Sequence, residues 1–264
     1  MGIDLSIDAG RESDRVNESV TISLVVPAYN EEKNLGRTLT AILAEVKRSG
    51  CAAEVIVVNN ASTDGTGDVA ASFPEVIVVD EPEKGLVQAR RAGFLRASGR
   101  LIANIDADTI VTPGWLDRVL SEFTRHPSLV ALSGPYVYYD VSKKARAAVR
   151  AFYVMGYGFY VLNRFVLRSG SMLQGGNFVV ERAALEQIGG YNPKFSFYGE
   201  DTDLARRLHA VGAVKFTFRL PAWSSGRRLI EEGIMRMGMR YSMNFVWATF
   251  MHRPFTDEWI DIRH

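Results

Sequence analysis

The first half of the chain alternates short apolar runs with segments of helical periodicity. The apolar runs are rich in β-branched residues and lie at 22–26, 54–58, 76–79 and 101–105. The segments with helical spacing lie between them, at 35–46, 68–72 and 86–97. Strands that alternate with helices at this spacing predict a mainly parallel sheet with helices on both faces. The sequence therefore predicts an α/β fold.

The pattern changes after Pro113. Further helices are predicted at 115–123, 143–167, 183–188, 200–210 and 229–251. Further strands are predicted at 130–137, 178–180 and 214–218. We interpret residues 21–112 and 113–228 as two halves of one domain, preceded by a polar, flexible tail over 1–20 and followed by a helical extension over 229–264.

Composition excludes several classes of protein. The formal net charge is +1, so no overall positive field favours nucleic acid. Cys51 is the only cysteine, and the four histidines show no ligand spacing, which argues against a zinc site and an internal disulfide. No signal peptide is visible, and no apolar run reaches the roughly 18 residues needed to span a bilayer. These features predict a cytoplasmic protein that binds no nucleic acid.

Two aspartates, Asp106 and Asp108, follow the apolar run 101–105 directly. Ligands of open α/β sheets bind beyond the carboxyl ends of the strands. Two carboxylates at that place suit a hard divalent cation, which commonly brings phosphates with it. A polar exit from the strand, with one aspartate capping a turn, explains the same residues, and both interpretations stay open at this point.

The first two strands also end in residues with hydrogen-bonding side chains. Pro27, Tyr29 and Glu31 follow the first strand, and Asn60 follows the second. An aromatic ring at a strand end can stack on a nucleobase, and an amide can both donate to and accept from a base edge. Ordinary turn chemistry is the alternative.

Five segments together resemble the inverting glycosyltransferases of family 2, which have the GT-A fold. In chain order they are Pro-Ala-Tyr-Asn-Glu-Glu, Asn-Asn-Ala-Ser-Thr-Asp-Gly-Thr, Asp-Ala-Asp, Gly-Gly-Asn-Phe with Ile-Gly-Gly-Tyr, and Tyr-Gly-Glu-Asp-Thr-Asp-Leu. The resemblance covers roughly residues 22–228. It implies a single Rossmann-like sheet with a nucleotide-sugar-binding half, 21–112, and an acceptor and catalytic half, 113–228.

The resemblance also implies a nucleotide site. Tyr29 would stack on the base and Asn60 would contact its edge. The remaining expected contacts are Pro27 and Glu31 in the same pocket, with Lys84 and Arg90 near the nucleotide. The family usually has Asp where this chain has Asn60. Asn60 keeps an acceptor oxygen, so a UDP-sugar is favoured, but it lacks the charge of Asp, so the identity of the base stays open.

The resemblance assigns the two aspartates to the Asp-x-Asp motif. Asp108 would bind Mn²⁺ or Mg²⁺ on the diphosphate, and Asp106 would hold the ribose or a metal-bound water. Gln174 and Asn177 would meet sugar hydroxyls. Many relatives carry a histidine after the strand at 214–218 that this chain lacks, and we expect Arg227 to hold the diphosphate.

Asp201 matches the general base of the family, with Glu200 as the second candidate. An inverting transfer needs one base against the acceptor hydroxyl, opposite the leaving group. Acids in the first turn of a helix also stabilise the helix, so capping is the alternative. The Gln-x-x-Arg-Trp motif of processive synthases is absent, which favours transfer of one sugar per encounter.

Two segments combine basic residues with an aromatic apolar stretch, at 143–168 and 240–251. This pattern is typical of helices at the surface of an anionic membrane. It favours a peripheral protein at the inner membrane face and a lipid-linked acceptor, as in polysaccharide or glycolipid biosynthesis. A free saccharide acceptor, burial in the core and a homodimer interface are the alternatives.

Two other functions compete with glycosyl transfer. The segment Asp106-Ala107-Asp108-Thr109 resembles the first motif of haloacid-dehalogenase-like phosphatases, although there the motif follows the first strand. A nucleotide-sugar-binding module without transferase activity is the other alternative, which Asn60 and the missing histidine keep open.

Overall fold

A seven-stranded sheet forms the centre of the molecule. The computed structural model describes residues 20–162, 172–195, 197–251 and 255–256. The strands of this sheet are β1 (Ile22–Ala28), β2 (Ala53–Asn60), β3 (Val76–Glu81), β4 (Leu101–Ile105), β6 (Leu129–Ser133), β8 (Asn177–Glu181) and β9 (Ala213–Phe216). Their order is β3-β2-β1-β4-β8-β6-β9. The α/β prediction is confirmed, and most neighbouring strands are parallel, whereas β8 runs antiparallel to β4 and β6.

Helices cover both faces of the sheet. They are α1 (Leu35–Ser49), α2 (Thr66–Ala71), α3 (Leu86–Arg96), α4 (Trp115–Arg125), α6 (Arg182–Gln187) and α7 (Glu200–His209). Side chains alternate along β1, so Leu24 and Val26 pack with α1 and α4, while Val25 packs with α3 and α7. Burying each such side chain stabilises the fold by roughly 1.5–3 kcal/mol. Both faces are therefore apolar, which explains the continuous apolar runs in the sequence.

A second sheet of three short strands lies beside the first. β10 (Ala222–Ser224) pairs antiparallel with β5 (Thr109–Val111) and parallel with β7 (Tyr136–Tyr138). The single strand predicted at 130–137 is wrong, because the chain leaves the large sheet at Gly134. A Cβ at Gly134 would lie 1.9 Å from the Leu220 carbonyl oxygen, so this crossing requires glycine.

The structure describes three more helices in the later part of the chain: α5 (Lys143–Leu162), α8 (Arg227–Glu232) and α9 (Ile234–Met251). The single helix predicted at 229–251 is wrong, because Gly233 separates α8 from α9 with a φ of 80°. The predicted ends at 1–19 and 257–264 and the helix residues 163–167 lie outside the described residues. Among the helices that the structure describes, none is long and apolar enough to cross a bilayer.

Candidate active site

Asp108, the second of the two aspartates after β4, lies beside a half-buried cation from a distant part of the sequence. Arg227 opens α8, and its Nη2 lies 2.9 Å from Asp108 Oδ2 and 2.6 Å from Glu31 Oε1. Asp140 positions this turn by accepting hydrogen bonds from the Gly226 amide and the Ser225 hydroxyl. The fold thus brings three predicted site residues into one cluster.

Negative charge accumulates at this end of the cleft. Burial and the nearby carboxylates of Glu31 and Asp106 together raise the pKa of Asp108 to about 6, against the opposing effect of Arg227. Nε of Arg227 is buried and has no hydrogen-bond partner among the described residues. The cluster can therefore offer a donor to an anion and carboxylate oxygens to a cation.

Asp106 is held from two sides. The Tyr136 hydroxyl lies 2.8 Å from Asp106 Oδ2 and 2.8 Å from the Gly175 carbonyl oxygen. Nη2 of Arg90 lies 3.6 Å from Asp106 Oδ1. Tyr136 could not be predicted as a site residue, because it belongs to no motif and follows a turn within a segment whose local pattern predicts one continuous strand.

The turn formed by Gly175 and Gly176 lies against carboxylates on both sides. A Cβ at Gly176 would lie 2.0 Å from Asp106 Cγ, and the residue has a φ of 77°. The Gly175 amide donates to Asp201 Oδ2 at 3.3 Å. One turn therefore contacts both Asp106 and the predicted base, and its second position, Gly176, needs glycine.

Replacing Gly176 with alanine tests this close approach. We expect Gly176→Ala to displace Asp106 and to weaken binding of a nucleotide sugar at least tenfold, with a loss of stability of about 1–3 kcal/mol from backbone strain. Gly189→Ala is the matched control, since Gly189 has a φ of 78° and open space around a Cβ. Denaturation should show that both variants are destabilised, and calorimetric titration should show weaker binding only for Gly176→Ala. Equal donor affinity in the two variants would contradict the prediction.

The two acids at the start of α7 have different surroundings. Asp201 accepts hydrogen bonds from the Thr202 and Gly175 amides, and burial raises its pKa above the ordinary value for aspartate. Glu200 pairs with Arg90, and burial raises its pKa to about 7. Oε2 of Glu200 has no hydrogen-bond partner among the described residues. Among the described residues, Asp201 therefore forms no ion pair, whereas Glu200 is paired with Arg90.

Arg90 joins the two halves of the cleft. Its side chain is 1% exposed, and its guanidinium lies 5.2 Å from the centre of the Phe178 ring. It contacts Glu200 and also lies near Asp106. The sequence predicts Arg90 near the nucleotide, and the structure places its charge between Asp106 and Glu200 at the start of α7.

A pocket at the ends of β1 and β2 contains most of the predicted nucleotide residues. Its lining residues are Pro27, Ala28, Tyr29, Asn60, Lys84, Gly85, Leu86, Ala89 and Phe197. Lys84 Nζ donates to the Tyr29 hydroxyl at 2.7 Å and lies 4.0 Å from the centre of that ring. The aromatic wall and the ammonium group suit a nucleobase with attached phosphates.

The side chain of Asn60 is engaged by the pocket wall itself. Its amide nitrogen donates to the carbonyls of Glu81 and Glu83, and its oxygen accepts from the Gly85 amide. The sequence predicts that Asn60 contacts the base edge. The structure instead uses this amide to hold the loop that carries Lys84.

The two predicted sugar contacts also differ in their surroundings. Asn177 accepts from Trp115 Nε1 and donates to the carbonyls of Gly134 and Leu220, so its amide fixes the crossing between the two sheets. Gln174 accepts from the Tyr153 hydroxyl at 2.7 Å. Gln174 stays at the rim of the glycine turn, whereas Asn177 is buried in the fold.

The site can accommodate a divalent cation only with help from a ligand. Within the described residues, no group of three or more His, Cys, Asp or Glu side chains could hold a metal ion. Asp106 and Asp108 supply carboxylate oxygens, and Mg²⁺ commonly takes its remaining ligands from water and substrate phosphates. The residues present therefore fit a cation that is shared with a diphosphate.

Comparison with known proteins places the chain among glycosyltransferases. It is 28% identical over 242 residues to the probable glycosyltransferase YdaM of Bacillus subtilis, over 80% of this chain and 51% of that protein. It is 38% identical over 100 residues to the dolichyl-phosphate beta-glucosyltransferase ALG5A of Trichomonas vaginalis, over 34% of this chain and 31% of that protein. The chain thus spans about half or less of the length of these relatives.

A solved structure shares the fold. S. aureus TarS 1–349 in complex with UDP-GlcNAc superposes with a TM-score of 0.59 at 15% identity, over 78% of this chain and 58% of that one. The GT-A fold is therefore confirmed. A sequence profile described as the N-terminal domain of galactosyltransferase matches residues 164–225. The profile of glycosyl transferase family 2 matches residues 23–189, more than half of the chain, and the chain belongs to that family.

Proposed function

We propose that this protein transfers one sugar from a nucleoside-diphosphate sugar, with a UDP-sugar favoured, to an acceptor hydroxyl with inversion at the anomeric carbon. The contact of the Gly175-Gly176 turn with both Asp106 and Asp201 supports this most strongly. A sugar seated on that turn would have the diphosphate-binding carboxylates at one end and a base at the other. Family membership makes the phosphatase interpretation of Asp106 wrong.

Asp201 is the proposed general base. Its two amide hydrogen bonds fix the carboxylate, and burial raises its pKa toward the range in which a base works well. The acceptor hydroxyl would give its proton to Asp201 while its oxygen attacks the anomeric carbon and the diphosphate departs. Glu200, paired with Arg90, would hold the position of that cation rather than take the proton.

The leaving diphosphate would meet positive charge from Arg227 and Lys84. The buried Nε of Arg227 has no hydrogen-bond partner among the described residues, and it could donate a hydrogen bond to a phosphate oxygen. Asp108 and Asp106 would hold Mn²⁺ or Mg²⁺ together with the phosphates. Such a cation neutralises charge that develops on the departing oxygen.

The base site is proposed on Tyr29, Pro27 and Lys84. TarS was solved with UDP-GlcNAc, which supports a uridine nucleotide here only by analogy of fold. The acceptor is proposed to be lipid-linked, since one relative is a dolichyl-phosphate beta-glucosyltransferase. A free saccharide acceptor is the second candidate.

Donor and metal binding provide the direct test. Calorimetric titration of nucleotide sugars with Mn²⁺ should identify one donor, and its nucleoside diphosphate should be released on addition of acceptor or slowly in water. Binding without any release would favour the inactive binding module instead.

We expect Asp108→Asn to weaken Mn²⁺-dependent donor binding by roughly a hundredfold, because the metal–carboxylate contact contributes several kcal/mol. In the presence of EDTA, Asp108→Asn and the unchanged protein should bind the donor with equal affinity, which is the internal control. An equal loss with and without metal would show that Asp108 acts on the fold or on the position of Arg227, and not through a metal.

A further inference from the structure

We propose that the outer faces of α5 and α9 dock this protein on the surface of an anionic lipid bilayer. On α5 the inner face packs inward, with Tyr153 stacked on Phe216 of β9. The outer face exposes Phe152, Val154 and Met155, of which Val154 is 59% exposed. Large apolar side chains grouped on one exposed helix face mark an interaction surface.

α9 shows the same division between its faces. Asn244 and Ala248 are buried and lie against Gly199, which precedes the acids of α7. Met239, Met243 and Met251 are exposed, with Met239 at 65%. α9 therefore exposes several large apolar side chains to solvent while its other side packs against the protein.

Charge identifies the partner. Residues 143–180 contain six basic residues and no acid, and residues 233–256 contain three basic residues and no acid. The whole chain has a net charge of only +1, so positive charge is concentrated in these two segments. Lys143, Lys144 and Arg150 are exposed on α5, before or beside its apolar outer face. Basic residues that flank an exposed apolar face complement anionic headgroups above acyl chains.

The two helices lie near the same part of the molecule. The phenol groups of Tyr153 on α5 and Tyr241 on α9 both interact electrostatically with Tyr138 and with Asp201. A surface that contacts both helices would therefore lie close to the acids of α7. Since neither helix can cross a bilayer, the contact would be interfacial. The proposal depends on exposure and charge alone, and does not require the proposed transfer reaction.

Co-sedimentation of the full chain with vesicles tests the proposal. We expect binding to vesicles of phosphatidylglycerol and phosphatidylcholine that weakens with added salt, and far weaker binding to phosphatidylcholine alone. Lys143→Gln combined with Lys144→Gln should weaken binding roughly 25-fold, since each basic residue near such a surface contributes about a factor of five. Phe152→Asp combined with Met155→Asp should weaken it at least tenfold, because the apolar contact is lost.

Matched substitutions on α3, which belongs to neither proposed docking helix, serve as controls. Leu95 is 71% exposed on α3, so Leu95→Asp places an acid on a surface that we expect to stay in water. Arg91→Gln on the same helix removes an exposed charge. Both controls should bind vesicles like the unchanged protein, and thermal melting should confirm that every variant is folded.

Three results would overturn the proposal. The first is no binding to anionic vesicles at low salt, and the second is an equal loss of binding in the α5 variants and the α3 controls. The third is a dimer, seen by light scattering, that is lost in the α5 variants, together with no binding to vesicles. That result would assign this face to a second copy of the chain. Release of nucleoside diphosphate in water is measured separately, so failure of docking is distinguishable from failure of the proposed function.

Discussion

Asp201→Asn is expected to slow sugar transfer by roughly 10²- to 10⁴-fold, the usual contribution of a positioned general base. The amide keeps the size of the side chain but cannot accept the proton of the acceptor hydroxyl. Donor affinity should change little, because the proposed donor contacts lie at Asp106, Asp108 and Arg227. Release of nucleoside diphosphate, with water as the acceptor, measures the rate without knowledge of the natural acceptor.

The neighbouring acid provides the decisive comparison. Glu200→Gln should retain more activity than Asp201→Asn, since Glu200 is occupied by Arg90. Asp68→Asn, at an exposed acid on α2, should leave the rate unchanged. A large loss in Glu200→Gln with a small loss in Asp201→Asn would assign the base to Glu200. Loss of donor binding in Asp201→Asn would remove Asp201 from that role altogether.

The pH dependence of the unchanged enzyme should agree with this assignment. A base must be deprotonated to work, and burial raises the pKa of Asp201 above its ordinary value. We therefore expect kcat/KM to rise with pH along an acidic limb whose midpoint lies above the ordinary aspartate pKa of about 3.9. A rate independent of pH across the acidic range would contradict a buried aspartate base.

The sequence predicted the features that local patterns determine. Each strand of the first half is a short apolar run, and β1 and β4 are buried along their whole length, so the alternation of strands and helices was readable without tertiary information. The glycines at 175 and 176 were also predictable as a close backbone approach. At Gly176 the approach to Asp106, together with a positive φ, explains why glycine is needed.

Contacts between distant segments could not be predicted in the same way. The three-residue strands β5 and β10 pair across more than a hundred residues, and neither carries a local pattern of its own. Tyr136 reaches Asp106 only because the chain changes sheets at Gly134. For Asn60, backbone groups of a neighbouring loop take the hydrogen bonds that the sequence assigned to a nucleobase.

The largest effect on stability is expected at Arg90. Arg90→Met removes the cation from a buried pair and should lower the free energy of unfolding by about 3–5 kcal/mol, because Glu200 is left buried without a partner. Chemical denaturation measures this loss. Arg91→Met, at the next residue on the exposed side of α3, is the matched control and should change stability by less than about 0.5 kcal/mol.

The loss should depend on pH with a definite sign. The pKa of Glu200 in the folded protein is about 7, already above its ordinary value, and removal of Arg90 should raise it further. The folded state then binds more protons than the unfolded state between the two pKa values, so stability falls as pH rises through that window. Arg90→Met should therefore be more destabilised near about pH 8 than near about pH 6, where Glu200 is neutral.

Arg90→Met combined with Glu200→Gln should recover most of the loss and remove this added pH dependence, because no buried charge is left unpaired. A double variant as unstable as Arg90→Met would show instead that packing of the arginine on Phe178, and not its charge, stabilises this part of the fold.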